Sequence, residues 1–163
     1  MAAKLAPPPV RLSGIARMLG ISVTSAGRRR VTGEMRIGEE HINRGGRVQG
    51  GAIMTLADIL GAVGTVRNLP PGYRTSTLES KTNFFAAGEG PLLTGVSIPL
   101  HIGRTTMVWQ TTVRNADKRR VAIVTQTQIV IPVRTPASPT PPQDAGARRR
   151  PAKPAGGARR TAS

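Results

Sequence analysis

The most apolar stretch of the chain runs from Gly51 to Val66, mostly Ala, Ile, Leu, Val, Gly and Thr. Between Arg47 and Arg67 the only charged residue is Asp58. A membrane span needs about 20 apolar residues, and this stretch is shorter, rich in Gly and Thr, and carries a central charge. It therefore predicts a buried helix, and its all-round hydrophobicity predicts other elements on every side. Upstream, apolar residues at Leu12, Ile15, Ala16, Met18 and Leu19 suit a short amphipathic helix. Ile21 to Ile37 alternates loosely through Arg28-Arg29-Arg30 and reads as one long or bent strand, and polar Glu39 to Gln49 as a loop.

Beyond the Pro70-Pro71-Gly72 turn come four strand-like runs: Thr75 to Ala87, Leu92 to His101, Thr105 to Asn115 and Arg120 to Ile131. Trp109, Thr111 and Val113 alternate with Gln110, Thr112 and Arg114, while Val121, Ile123, Thr125, Thr127 and Ile129 form one face of the last run. Gly88-Glu89-Gly90, Ile102-Gly103 and Ala116-Asp117-Lys118 are short enough to close antiparallel hairpins. The order helix, strand, long helix, four meandering strands predicts an α+β fold, with a curved antiparallel sheet wrapped around one central helix.

Composition narrows the chemistry. The 163 residues suffice for one domain with a real core. Cysteine is absent and there are two histidines, His41 and His101, so thiolate nucleophiles, disulfides and Cys-based zinc sites are excluded. Lys and Arg outnumber Asp and Glu by 24 to 8, a formal charge of +16 that favours polyanions or phosphate-bearing ligands. Only four aromatic side chains, Tyr73, Phe84, Phe85 and Trp109, argue against reading of stacked bases.

Residues 1–9 form a Pro-rich lead expected to be disordered, residues 10–133 the folded domain, and residues 134–163 a basic Pro/Ala/Arg tail. That tail is too poor in apolar residues to offset its ordering entropy. It reads as an inert solubilising segment or a non-specific polyanion-binding arm. The acid-free N-terminal basic residues faintly resemble a transit peptide, but no apolar signal run is present and a soluble cytoplasmic protein is expected.

Asp58 is the first candidate for chemistry. A lone carboxylate in a buried helix costs several kcal/mol unless paired or hydrogen-bonded, so it reads as a base or nucleophile, or as a structural Asp capping a neighbouring loop or paired with a surface Arg. Gly50-Gly51 at the helix start is the second. Unpaired amides there, with the helix dipole behind them, can stabilise an oxyanion; a plain glycine turn is the alternative.

The run His41 to Asp58, HINRGGRVQGGAIMTLAD, resembles the hotdog thioesterases of the phenylacetate-degradation type. Their signature is a His/Asn loop, a small-residue turn, His or Gln before Gly-Gly, and an acid two helical turns on, after Leu-Ala. Ser76-Thr77-Leu78-Glu79, then Asn83-Phe84, and Gly103-Arg104-Thr105 support the resemblance, which spans roughly residues 12 to 132.

The resemblance implies hydrolysis of an acyl-coenzyme A thioester, with no cofactor beyond the coenzyme A of the substrate. Asp58 would be base or nucleophile and the Gly50 amide would polarise the carbonyl. Gln49 would set the loop and touch substrate, and Asn43 would position the carbonyl or the water. Thr77, or Ser76 beside it, would hold that water or support Asp58. Gly51 and Arg104 would contact the coenzyme A ester, Arg104 through phosphate. The family builds its site across a homodimer or dimer of dimers, the Gly-Gly helix end of one subunit facing the acid of the other. Gln49 stands where many members have His and cannot carry a proton at neutral pH, which leaves proton transfer to Asp58. Arg44 replaces a common Pro. Small residues at Gly61, Ala62 and Gly64 suggest room for an acyl or aryl group. A non-catalytic acyl-coenzyme A binder and a polyanion-binding protein acting through Arg28 to Arg30 and the tail are the alternatives.

Overall fold

The structure, a computed structural model, describes Val10, Leu12 and residues 14–133. The expectations for the Pro-rich lead and the basic tail lie outside those residues. After a single-turn helix α1 (Ile15–Met18) come β1 (Ile21–Ala26), β2 (Val31–Arg36), α2 (Gly50–Val66), β3 (Tyr73–Phe84), β4 (Leu92–Ile102), β5 (Thr106–Asn115) and β6 (Arg120–Pro132). The strands form one antiparallel sheet in the order β1-β2-β4-β5-β6-β3. All six contact α2, so the sheet curves around the helix as an α+β fold of the expected kind.

Three expectations are corrected. Residues 21 to 37 are two strands, because Gly27 and Arg30 close a tight turn (Gly27 N–H to Arg30 O, 2.9 Å) that puts Arg28 to Arg30 in solvent. The arginines mark the hairpin turn between β1 and β2, not the middle of a strand. β3 and β4 are not a hairpin either. β4 pairs with β2 of the β1–β2 hairpin on one side and with β5 on the other, so β3 lies at the far edge beside β6. The segment around Gly88 to Gly90 carries the chain across that gap, with Val48 N–H donating to the Gly88 carbonyl. Finally, α1 is one turn long. Ala16 is buried, but Ile15 and Met18 point outward.

The core lies between α2 and the concave sheet face. Ile53, Leu56, Leu60 and Val63 of α2 pack with Met35, Leu93 and Val113, all buried. On β6 the odd-numbered residues from Ile123 to Ile129 do share a face, the outer, half-exposed one, but Val121 does not belong with them: it is fully buried, next to an irregularity in the β5–β6 pairing. The inner face is Ala122, Val124, Gln126, Gln128 and Val130, with both glutamines fully buried.

The helix is not covered all round. Gly51 and Met54 are exposed and Thr55, Asp58, Ile59 and Ala62 partly so, a stripe along the side of α2 that a single chain leaves open. The stripe follows the helical i, i+3, i+4 rule; the sheet reaches around the helix only as far as the edge strand β3.

Gly61 and Gly64 do not make a ligand pocket. A Cβ at Gly64 would lie 2.6 Å from the Trp109 ring, and one at Gly61 would lie 2.5 Å from the Gln126 amide. The space is already filled by protein. Gly64→Ala is therefore expected to destabilise the fold by about 1–3 kcal/mol through overpacking. The loss should appear as a lower urea midpoint with an unchanged m value.

Candidate functional site

Three segments converge on Asp58. The carboxylate sits half-buried in the middle of α2, on the edge of the open stripe, where the sequence predicts a fully buried position. Its helical turn lies against β3 and β6, so neighbouring strands supply polar partners that a single helix could not. The Thr77 hydroxyl donates to Asp58 Oδ1 at 2.9 Å. Gln126 Nε2 donates to the same oxygen at 3.3 Å and to the Asp58 backbone carbonyl at 3.2 Å. Among the described residues no cation is paired with Asp58. The residue lines an open depression of about 400 Å³ with Ile15, Gly51, Met54, Thr55 and Ser80.

β3 decides between Thr77 and Ser76. Thr77 pairs with inward-facing Gln128, whereas Ser76 pairs with Ile129 on the outer face. Ser76 therefore points away from Asp58. An extra residue, Leu78, bulges the strand between Thr77 and Glu79, so that Ser80 and Thr82 return to the helix side. Their hydroxyls are buried without a partner among the described residues.

The helix start is held by the preceding loop. Buried His41 donates from Nε2 to the Leu19 carbonyl (3.1 Å) and accepts the Gly38 N–H on Nδ1 (3.0 Å). Its carbonyl takes the Gln49 N–H at 2.7 Å, which fixes the residue that precedes α2. The Asn43 Oδ1 accepts from the Gly45 and Arg47 amides, so this side chain closes the exposed loop. Gln49 is the N-cap position, yet its exposed side chain makes no cap bond. The Gly50 and Gly51 amides have no acceptor among the described residues. Beside Gly50 lies a shallow apolar slot lined by Val48, Ile53, Phe84 and the Ala86–Gly88 backbone.

Not every predicted site residue is brought together within one chain. Gly50 and Asp58 lie eight residues apart on α2, about 12 Å along its axis. Arg104 is farther away, in the β4–β5 turn, where it lines a depression with Asn68, Tyr73 and Met107 at the C-terminal end of α2. Among the described residues no three His, Asp or Glu side chains gather closely enough to hold a metal ion.

Sequence reasoning missed Thr75, Gln126 and Gln128. The signal was available: Gln126 and Gln128 share the period-two face of Val124 and Val130, and buried glutamines on an apolar face need partners.

Comparison with known proteins bears on the family and the fold. The model of the thioesterase superfamily matches residues 45–122, from the loop before α2 to the start of β6. A 1,4-dihydroxy-2-naphthoyl-CoA hydrolase of Listeria monocytogenes is 23% identical over 110 residues, 68% of this chain and 89% of the relative. Among solved structures, a mutant thioesterase of Pseudomonas aeruginosa superposes with a TM-score of 0.70 at 27% identity, covering 73% of this chain and 86% of that one. A thioesterase of Haemophilus influenzae superposes at 0.71 with 21% identity, over 76% and 87% of the two chains.

Proposed function

The chain belongs to the thioesterase superfamily, and on that premise we propose that it hydrolyses acyl-coenzyme A esters at sites shared between two copies of itself. The observation that carries this reading is the separation of the two catalytic elements. Free amides at the start of α2 and a held carboxylate two turns on cannot reach one carbonyl within a chain. A second copy, running antiparallel across the open stripe and the β3 edge, brings its Asp58 to the first copy's Gly50.

In that arrangement the Gly50 N–H, backed by the α2 dipole, takes the thioester oxygen and stabilises the charge that develops there. Asp58 either removes a proton from water as it attacks the carbonyl carbon or attacks directly to give an anhydride that water then opens. In the first route the C–S bond breaks as the tetrahedral adduct collapses, and the proton held by Asp58 passes to the departing sulfur. The apolar slot beside Gly50 suits an acyl chain. Exposed Gln49 and the Nδ2 of Asn43, unbonded among the described residues, suit contacts to the ester, and Arg104 suits a phosphate of coenzyme A. Exposed Met54, Leu78 and Phe84 flank the region the second copy would cover. The phenylacetate-degradation subtype is supported by the HINRGGRVQGGAIMTLAD run. No helix among the described residues is long and apolar enough to cross a membrane.

A thiol-release assay of the purified chain on short, medium and aryl acyl-coenzyme A esters tests the proposal. Continuous release proportional to enzyme is expected with at least one class. Calorimetric binding of these esters with no release from any of them would instead mark a non-catalytic binder.

A further inference from the structure

The hydrogen bonds around Asp58 have a direction, set by Asp58 itself. An ionised carboxylate only accepts, so the single proton of the Thr77 hydroxyl must point at Oδ1. The Thr77 oxygen then needs a donor, and Gln128 Nε2 stands 2.8 Å from it. This fixes the Gln128 amide with its Oε1 turned to Thr75, whose hydroxyl lies 2.9 Å away and shares its proton with the Ile129 carbonyl at the same distance. The chain runs one way, from Thr75 through Gln128 and Thr77 to Asp58.

Gln126 is fixed by the same logic. Its Nε2 faces two oxygens of Asp58, so the reverse amide orientation would set oxygen against oxygen. Its Oε1 is left buried without a partner among the described residues, a cost that nothing nearby offsets. The amide fits only because residue 61 is glycine. Both side-chain donors thus fall on one oxygen, and among the described residues nothing donates to Asp58 Oδ2.

We propose that Gln126 and Gln128 are positioning residues that lock Oδ1 of Asp58 and so leave Oδ2, on the open depression, as the oxygen that meets water or thioester. Gln128 acts only through Thr77, whereas Gln126 acts on Asp58 directly. Thr77 spends its only proton on the carboxylate and is not a donor to the attacking water. The inference rests on Asp58 being the catalytic base or nucleophile.

A mutant cycle tests it. Gln128→Leu should lower kcat roughly tenfold, since bonds that feed a charged group carry about that weight, with KM within about twofold. In a Thr77→Val background the same substitution should change kcat by less than about twofold, and in Thr77→Ser the tenfold step should return. Thr75→Val, a milder change that preserves strand shape, should give a smaller loss with the same dependence on Thr77 should Gln128→Leu fold poorly. An equal step in the wild-type and Thr77→Val backgrounds, or no step at all, overturns the inference. Asp58→Asn measured alongside separates the two ideas. If it stays fully active, the reading of Asp58 fails. If it is inactive while the Gln128 step ignores Thr77, only the positioning role fails.

Discussion

Asp58→Asn is expected to lower kcat by about 10²- to 10⁴-fold, the range for loss of a positioned acid–base group, while leaving the fold intact. Asparagine has the same shape and can still accept from Thr77 and Gln126 through its carbonyl oxygen. It cannot take a proton from water or attack a thioester at neutral pH. Because the position is half-buried and its bonds survive, the thermal midpoint should stay within a few degrees of the parent. KM should move little, since the carboxylate serves the transition state more than the bound ester. Thiol-release kinetics on the best ester from the panel provide the check. Parent-like turnover would remove Asp58 from the chemistry.

Gly50→Pro should be nearly as damaging for a different reason. Proline has no amide N–H, so the substitution deletes the oxyanion donor and little else. Gly50 is the first helical residue, where proline is well tolerated. Gln49 before it already has φ −56° and ψ 131°, in the extended region that a residue preceding proline adopts. The added ring would approach the Phe84 side chain, as an ideal Cβ comes within 3.1 Å of it, but that ring is half-exposed and can yield. We expect kcat to fall roughly 10²- to 10³-fold, as for removal of one oxyanion donor, with little change in urea midpoint. Gly50→Ala, which keeps the N–H, should retain most activity. If Gly50→Pro retained it too, the helix start would have no part in polarising the carbonyl.

The sequence was most legible where period and length agree. The apolar run containing Asp58 became α2 almost to the residue, and three of the four later strand runs ended within one residue of their structural limits. Two kinds of fact were hidden. Long-range pairing was one: strand periodicity says nothing about partners, so β3 read as part of a meander when the β1–β2 hairpin had displaced it to the edge. The other was which face of β6 is buried. Alternation groups Ile123, Thr125, Thr127 and Ile129 on one face without saying which face turns inward; the inner one carries Gln126 and Gln128, whose amides bond Asp58 and Thr77. The same bonds explain why Asp58 is tolerated in an apolar helix with no cation beside it among the described residues. Its neighbours on β3 and β6 are hydroxyl and amide donors, and their positions are fixed by the fold, not by nearness in sequence.

A catalytic site that takes Gly50 from one copy and Asp58 from another can be tested by mixing two inactive variants. Asp58→Asn and Gly50→Pro are unfolded together in equal amounts, refolded, and assayed beside each variant refolded alone. Random pairing makes half the dimers mixed, each with one intact site of two, so about a quarter of parent activity should reappear. Activity no greater than the mean of the two variants refolded alone, from a mixture shown by mass spectrometry to contain mixed dimers, would contradict the claim.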